Sequence, residues 1–461
     1  MTAAGLFGLD VEWLHIEVDA GRVDTVLLVI TDMQGRLQGK RMAARYFIDD
    51  ALAGGVEGCN YMLAVDVDMN TVEGYPMSSW ETGYGDFVLR PDLATLRRIP
   101  WQDGTVCITC DVVWADGSPV VASPRQILKR QLDRLAERGW TAYVGTELEF
   151  IVFDETYESA WHKGYSDLVP ANLYNVDYSM LGTARVEPLL RRIRNDMAGA
   201  GMVVESAKGE CNLGQHEIAF KYTEALATCD NHGVYKNGAK EIAAQEGKAI
   251  TFMAKFNERE GNSCHIHLSL RGAADGAAVF SDGDFSGPGH GQSDLFRQFL
   301  AGQLAAMREL TLFLAPNINS YKRFAKGSFA PTAVAWGLDN RSCALRIVGH
   351  DGPSLRFENR VPGGDVNPYL AVAALIAAGL HGVDAELELE EPVQGNAYES
   401  DKPRVPSTLD EAARLWSASD IARAAFGDEV VAHYANMARV EIEAFGAAVT
   451  DWERVRGFER L

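Results

Sequence analysis

The sequence is short of positive charge. Its 461 residues carry 43 Lys and Arg against 64 Asp and Glu, a formal net charge of −21. Nucleic acid and anionic membranes are held by basic surface, so neither is expected as a partner. Cysteine is also sparse, with seven residues scattered at 59, 107, 110, 211, 229, 264 and 343. The 107–110 pair has CxxC spacing, but it lies in an alternating apolar run with no second pair. It therefore reads as two reduced structural thiols, not as a zinc site. No apolar run reaches the length of a membrane span, and the longest, 370–380, reads as a buried helix. The opening MTAAGLFGLDVEW has no basic n-region, so no secretory signal is expected and the cytoplasm is the expected location. A Walker loop, a GxGxxG after a strand and a nucleophile elbow are all missing, which leaves P-loop, dinucleotide and serine-hydrolase chemistry without a basis.

What is present suits a large soluble core, with 47% hydrophobic and 23% charged residues. Residues 24–31 (DTVLLVIT), 36–42, 87–89 and 105–114 read as strands, 44–52 as a short helix and 68–85 as a loop. Ser123-Pro124 opens a helix with Leu128, Leu132 and Leu135 at helical spacing. Further helices are expected over 186–201, 224–247, 294–314 and 367–382, and two or three from 408 to 461. Strands are expected at 202–205, 250–256 and 264–270, an irregular stretch at 158–183 and a surface loop at 272–291. Without regular βαβ alternation the class is α+β, divided as 1–118 and 119–461.

Five stretches put charge into apolar settings. In GTELEF, Glu147 and Glu149 are two apart, so on a strand they share a face, where two carboxylates need a positive partner such as a divalent metal. In KGECNLGQHEIAF, Glu210 and Glu217 are seven apart, and a loop at Gly214 can bring both to one site. His265 and His267 share a face in NSCHIHLSL. Arg356, Glu358 and Arg360 alternate with apolar residues in LRFENRVPGG. Arg323, Arg341 and Arg346 occur in NSYKRF and DNRSCALRI, and arginine forks suit carboxylate and phosphate. Carboxylates with few imidazoles favour Mg²⁺ or Mn²⁺ over zinc. Hard cations beside many arginines point to metal-dependent phosphoryl or acyl-phosphate chemistry on an anionic substrate.

From about residue 24 onward these motifs, in this order, resemble the glutamine synthetase family, type I branch. The resemblance implies an N-terminal β-grasp domain and a C-terminal catalytic domain with an antiparallel curved sheet and flanking helices. It also implies a dodecamer of two stacked hexamers, with each active site between neighbouring subunits. It assigns Glu149, Glu210 and Glu217 to one metal, and Glu147, His265 and Glu358 to a second that bridges ATP phosphates, with two or three Mg²⁺ or Mn²⁺ per site. Glu205, Tyr222, His267, Ser269, Arg346 and Arg356 match ATP contacts, and Gly261, Arg323 and Arg360 match the glutamate pocket. Arg341 matches the arginine that stabilises the transferring phosphoryl group, and Arg323, Arg341 and Arg346 are the expected catalytic residues.

The implied activity is a two-step ligation, in which ATP phosphorylates the γ-carboxylate of glutamate and an amine displaces the phosphate. One departure bears on the amine. Where the family's ammonia-using members carry a glutamate just before Ala-Pro, this chain has Phe329, in AKGSFAP. A second acidic ammonium ligand has no clear counterpart in MNTVEGYPMSS, where Val72 falls near its place and Glu73 is adjacent. An aromatic ring suits an alkylamine better than ammonium. The pattern looks like the actinobacterial glutamate–ethanolamine ligases within the family. A polyamine ligase, an ammonia-using synthetase and a non-catalytic ring protein are the alternatives.

Overall fold

The computed structural model describes residues 8–283, 291–349 and 352–461. Two sheets organise the chain. The first has six strands, β1 (Thr25–Thr31), β2 (Leu37–Ala43), β3 (Val56–Cys59), β4 (Asp86–Pro91), β5 (Arg97–Arg98) and β6 (Thr105–Val113), in the order β2-β1-β6-β4-β3 with β5 beside β6. β1 and β6 run parallel at its centre and the outer pairs are antiparallel. β6 is buried along its whole length, which explains the near-continuous TVCITCDVV. Its Cys107 and Cys110 are free and buried, and burial pushes the Cys107 thiol up to about 12, as suits inert structural thiols.

The second sheet has nine strands: β7 (Trp140–Phe153), β8 (Val204–Gly209), β9 (Gln215–Phe220), β10 (Thr223–Glu224), β11 (Ala249–Thr251), β12 (Cys264–Gly272), β13 (Trp336–Leu338), β14 (Leu345–Val348) and β15 (Arg356–Asn359). Its main path is β13-β14-β15-β12-β7-β9-β8, antiparallel except for the β13/β14 pair at one edge. One face carries Ala142, Val144, Leu148, Phe150, Ile266 and Leu268 into the main hydrophobic cluster, together with the helices Ala225–Gln245, Asp294–Leu314 and Pro368–Asp384. The last two helices approach closely because Gly302 and Gly382 meet. A Cβ on Gly302 would lie 2.1 Å from the Ala378 carbonyl oxygen, and one on Gly382 would lie 2.1 Å from that of Gln298.

The expected α+β class is what the structure shows, and the helix over 294–314 has the expected bounds. Elsewhere it differs. A helix at Val11–Asp19, capped by the Asp10 carboxylate accepting from the Trp13 amide at 2.8 Å, was not expected from the sequence. The stretch 158–183 holds parts of two short helices, Tyr157–His162 and Met180–Ala184. The strand expected at 202–205 runs Val204–Gly209 instead. That expected at 250–256 stops at Thr251, because side chains take over its hydrogen bonds: Asn262 Nδ2 donates to the Met253 carbonyl at 2.9 Å, and the Lys255 amide donates to Asn319 at 2.8 Å. The tail after 408 forms four helices where two or three are expected. Of the loop expected over 272–291, residues 284–290 lie outside the described residues.

Candidate active site

The polar face of the nine-stranded sheet is set by strand register. His265 on β12 stands opposite Glu147 on β7, His267 opposite Glu358 on β15, and Arg346 on β14 opposite Glu358. On the other side of β7, Glu149 pairs with Glu217 on β9, and Glu217 with Lys208 on β8. Period-two alternation thus lines carboxylates, imidazoles and cations along one face while Leu148, Ile266 and Phe357 point to the core.

Two cavities lie along this face and share Glu147. The acidic one, about 250 Å³, is lined by Glu147, Glu149, Glu210, Glu217, His265 and Glu358, and also by Gly261, Phe329, Arg341, Arg346 and Arg360. The other, about 350 Å³, is lined by Glu147, Glu205, Tyr222, His267, Ser269 and Arg356. The turn between β8 and β9, with Gly214 at φ +74, returns Glu210 to Glu217 as the loop reading expects.

In the acidic cavity, Glu149, Glu210 and Glu217 present oxygens within 4.8 Å of one another. Glu149 is buried and accepts from the Ser263 amide at 2.7 Å and from Gln215 Nε2 at 3.1 Å. Burial pushes the Glu217 carboxyl up to about 8, and the neighbouring Glu147 and Glu149 charges push the same way. Three crowded carboxylates of this kind fit a hard divalent cation, which would remove the repulsion. The second group within ligand distance is Glu147, His267 and Glu358. The sequence reading places His265 in this set and gives His267 a phosphate contact. His265 is nonetheless close, its Nδ1 3.4 Å from Glu147 and 3.2 Å from Glu358, and its buried Nε2 has no hydrogen-bond partner among the described residues.

Electrostatics separates these groups. Burial opposes ionisation of Glu147, but hydrogen bonds from His265 and His267 outweigh it and hold the carboxyl well below its ordinary range. Burial likewise opposes Glu358, yet the charges of His265, Arg360 and His267 bring it down to about 2. Glu358 is fully buried between Arg360 Nη1 and Arg346 Nη1, the latter at 2.8 Å. Burial, followed by the Arg360 charge, lowers His265, while its hydrogen bond to Glu147 opposes that shift. His267 sits in a relay: Arg356 Nε donates to its Nδ1 at 3.2 Å, and its Nε2 lies 2.9 Å from Glu147.

Four further expected residues are Arg323, Glu73, Arg341 and Phe329. Arg323 is buried behind the acidic cavity, its guanidinium donating to the carbonyls of Val361 at 2.6 Å and Arg360 at 2.8 Å. It packs under Gly261, where a Cβ would meet the Ala254 oxygen at 2.2 Å and Arg323 Cγ at 2.8 Å. Arg323 therefore shapes the wall from behind. Glu73 is exposed and apart from Phe329 within the chain, its carbonyl accepting from Asn436 at 3.0 Å and Arg439 at 3.2 Å. Arg341 is exposed at the cavity edge. Phe329 is 58% exposed at φ +58, and its carbonyl accepts from Arg360 Nη2 at 3.3 Å.

Sequence reasoning missed Asp177, Tyr178, Lys208, Cys211 and Glu260, all on the acidic cavity. Lys208 had a readable signal, since it lies two residues before Glu210. Asp177 and Tyr178 reach the site from an irregular segment, with φ +53 at Tyr178, which no periodicity reveals.

The family model for the glutamine synthetase catalytic domain matches residues 121–456. The chain is 69% identical over 453 residues, 98% of its length and 96% of the other, to gamma-glutamylethanolamide synthetase GlnA4 of Streptomyces coelicolor. It is 37% identical to glutamate--isopropylamine ligase of Pseudomonas sp, over 95% of this chain and 96% of that one. Among solved structures, a GmaS/ADP complex superposes with a TM-score of 0.83 at 27% identity, covering 97% of this chain and 99% of that one. By sequence and fold alike, the chain belongs to the glutamine synthetase family.

Proposed function

We propose that the protein is an ATP-dependent ligase that joins the γ-carboxylate of glutamate to ethanolamine. The observation that carries the amine assignment is the 69% identity, over 98% of the chain, to a gamma-glutamylethanolamide synthetase. Phe329 on the acidic cavity supports it, because an aromatic ring offers apolar contact to an alkyl amine.

On this reading ATP lies in the cavity of Glu205, Tyr222, His267, Ser269 and Arg356, with its phosphates toward Glu147 and Arg346. Glutamate lies in the acidic cavity against Gly261 and Arg360, and Arg323 holds that wall in place. A γ-carboxylate oxygen attacks the terminal phosphorus and ADP leaves. The amine lone pair then attacks the acyl carbon, the C–O bond breaks, phosphate departs with its electrons, and the nitrogen loses a proton. Arg341 and Arg346 stabilise charge on the moving phosphoryl group, preorganised by the sheet. Bound Mg²⁺ or Mn²⁺, two or three per site, would neutralise the phosphates. Glu149, Glu210 and Glu217 would hold one ion, and Glu147 and Glu358 with His265 or His267 another.

We place the division between domains at 118/119 and the working enzyme in the cytoplasm. We also propose a dodecamer of stacked rings in which Glu73 serves a neighbouring subunit's amine pocket. The exposed Trp452, Val455, Phe458 and Leu461 at the C-terminal end supply apolar surface for such contacts.

The test is phosphate release with ATP, glutamate and Mg²⁺ across ammonium, ethanolamine, putrescine and spermidine. Highest kcat/KM for ethanolamine is expected, and a clear preference for ammonium sinks the assignment. A diamine is the second reading, because Asp177 and Glu260 line the same cavity and could meet a distal ammonium.

A further inference from the structure

Strand β8 holds a cation that none of these roles uses. Lys208 forms an ion pair with Glu210 and faces Glu217 across the β8/β9 ladder. Its ammonium lies 5.0 Å from the centroid of the Tyr178 ring, and that ring is held outward at φ +53 and is 70% exposed. Asp177, Glu210 and Cys211 offer ligand atoms within 4.8 Å of one another beside it. Asp177, Tyr178, Glu260 and Phe329 line the same cavity as Lys208. A primary ammonium on an alkyl stem, set between a carboxylate and an aromatic face, is the same chemical group as a protonated alkylamine. It stands in the cavity where the proposed amine meets the γ-glutamyl carbon.

The same charge affects two amines differently. Ethanolamine attacks through a neutral nitrogen, and its far end is a hydroxyl that can accept a hydrogen bond from an ammonium. A diamine carries a second amine whose intrinsic pKa, near that of lysine at about 10.4, keeps it cationic at neutral pH. That second charge would have to enter beside Lys208.

We infer that Lys208 is a specificity-determining residue: its fixed cation favours amines with a neutral, hydrogen-bonding far end and disfavours diamines. The inference rests on the ligase reading. Asp177 and Glu260 pull the other way, and the experiment measures which charge prevails. Lys208→Met removes the charge and keeps the stem, whereas Lys208→Arg keeps the charge.

Steady-state phosphate release gives kcat/KM for ethanolamine and putrescine in each protein. The putrescine-to-ethanolamine ratio is expected to rise about tenfold in Lys208→Met, the repulsion of two unit charges roughly 6 Å apart at an effective dielectric constant of about 40. The change is expected in the putrescine KM, with Lys208→Arg within about twofold of wild type. Titration of each protein with Mg²⁺ alone, followed by thermal midpoint, reports whether Lys208 instead only balances Glu210 and Glu217. An unchanged ratio, with both amines slowed equally and the Mg²⁺ response shifted, overturns the inference. Wild-type protein that releases no phosphate with either amine overturns the ligase reading and the inference with it. Ethanolamine turnover with an unchanged ratio overturns the inference alone.

Discussion

Two clusters of buried charge can be compared. Arg125 lies beneath the junction of the two sheets, with Nε and Nη2 each 3.0 Å from Asp230, Nη2 2.7 Å from Asp92 and Nη1 2.5 Å from Asp111. Lys129 adds a second cation at Asp111, and the Tyr369 hydroxyl donates to Asp230 at 2.5 Å. Every guanidinium nitrogen is paired. Although burial opposes it, Arg125 and Lys129 keep the Asp111 carboxyl below its ordinary range. The active-site cluster sets glutamates against the same kinds of cation but leaves several carboxylates without one. Five carboxylates, Glu147, Glu149, Glu210, Glu217 and Glu358, face the paired cations Lys208, Arg346 and Arg360, and Glu217 is pushed up to about 8. A network in which each aspartate meets Arg125 holds helices and sheets together, although three carboxylates face two cations. An excess of like charge stores repulsion that a cationic ligand can relieve.

The two clusters should therefore break in opposite ways. Glu149→Gln is expected to lower ligase turnover by about 10³-fold or more, the scale on which lost electrostatic stabilisation acts, without lowering the thermal midpoint. A coupled assay and a melt on the same sample check both halves. Arg125→Met is expected to destabilise the fold by about 3–5 kcal/mol, since it leaves the buried Asp111 and Asp230 short of a partner. Urea unfolding measures this, and the activity of the remaining folded protein should be near wild type. If Arg125→Met were silent in stability, the contrast would fail on its structural side.

Phe329→Glu comes next. It should move amine preference toward ammonium by roughly tenfold in the kcat/KM ratio, one charge in a partly exposed cavity being worth about 1.4 kcal/mol. A competition between ammonium and ethanolamine reads it out.

The smallest effect is on pH. Glu217 has a folded pKa above its unfolded value, so its contribution to stability is present at low pH and is lost as pH rises between about 4.5 and 8. Burial lowers His216 and His433 to about 4, so their contribution runs the other way and is lost as pH falls below about 6.5. In chelator, stability should thus decline by up to about 2 kcal/mol from pH 6.5 to 8. Saturating Mg²⁺ should flatten that alkaline limb and leave the acid limb in place. Thermal or urea unfolding across pH in both buffers checks the sign.

Much of the active-site cluster was legible because strand periodicity is short-range and strict. Glu147 with Glu149, and His265 with His267, could be put on one face from spacing alone, and the ladders carry out that placement. The Arg125 cluster was not legible. Asp92, Asp111, Arg125 and Asp230 are far apart in the chain and meet only through packing. The same limit applies to Asp177 and Tyr178, delivered by positive-φ backbone, and to Arg323, whose guanidinium serves backbone carbonyls that no motif shows. The helix Val11–Asp19 had its signals, Asp10 as cap and Leu14 and Val18 on one face, but lies before the family motifs begin.

The most direct test of the comparison is the thermal midpoint of Glu217→Gln beside wild type, in chelator and in saturating Mg²⁺. At a pH above about 8, where Glu217 is ionised, removing that charge should raise the midpoint in chelator, and wild type should gain more from Mg²⁺ than the variant does. A variant less stable than wild type in chelator, with an equal Mg²⁺ response, would contradict the claim that these carboxylates are held in excess for a cation.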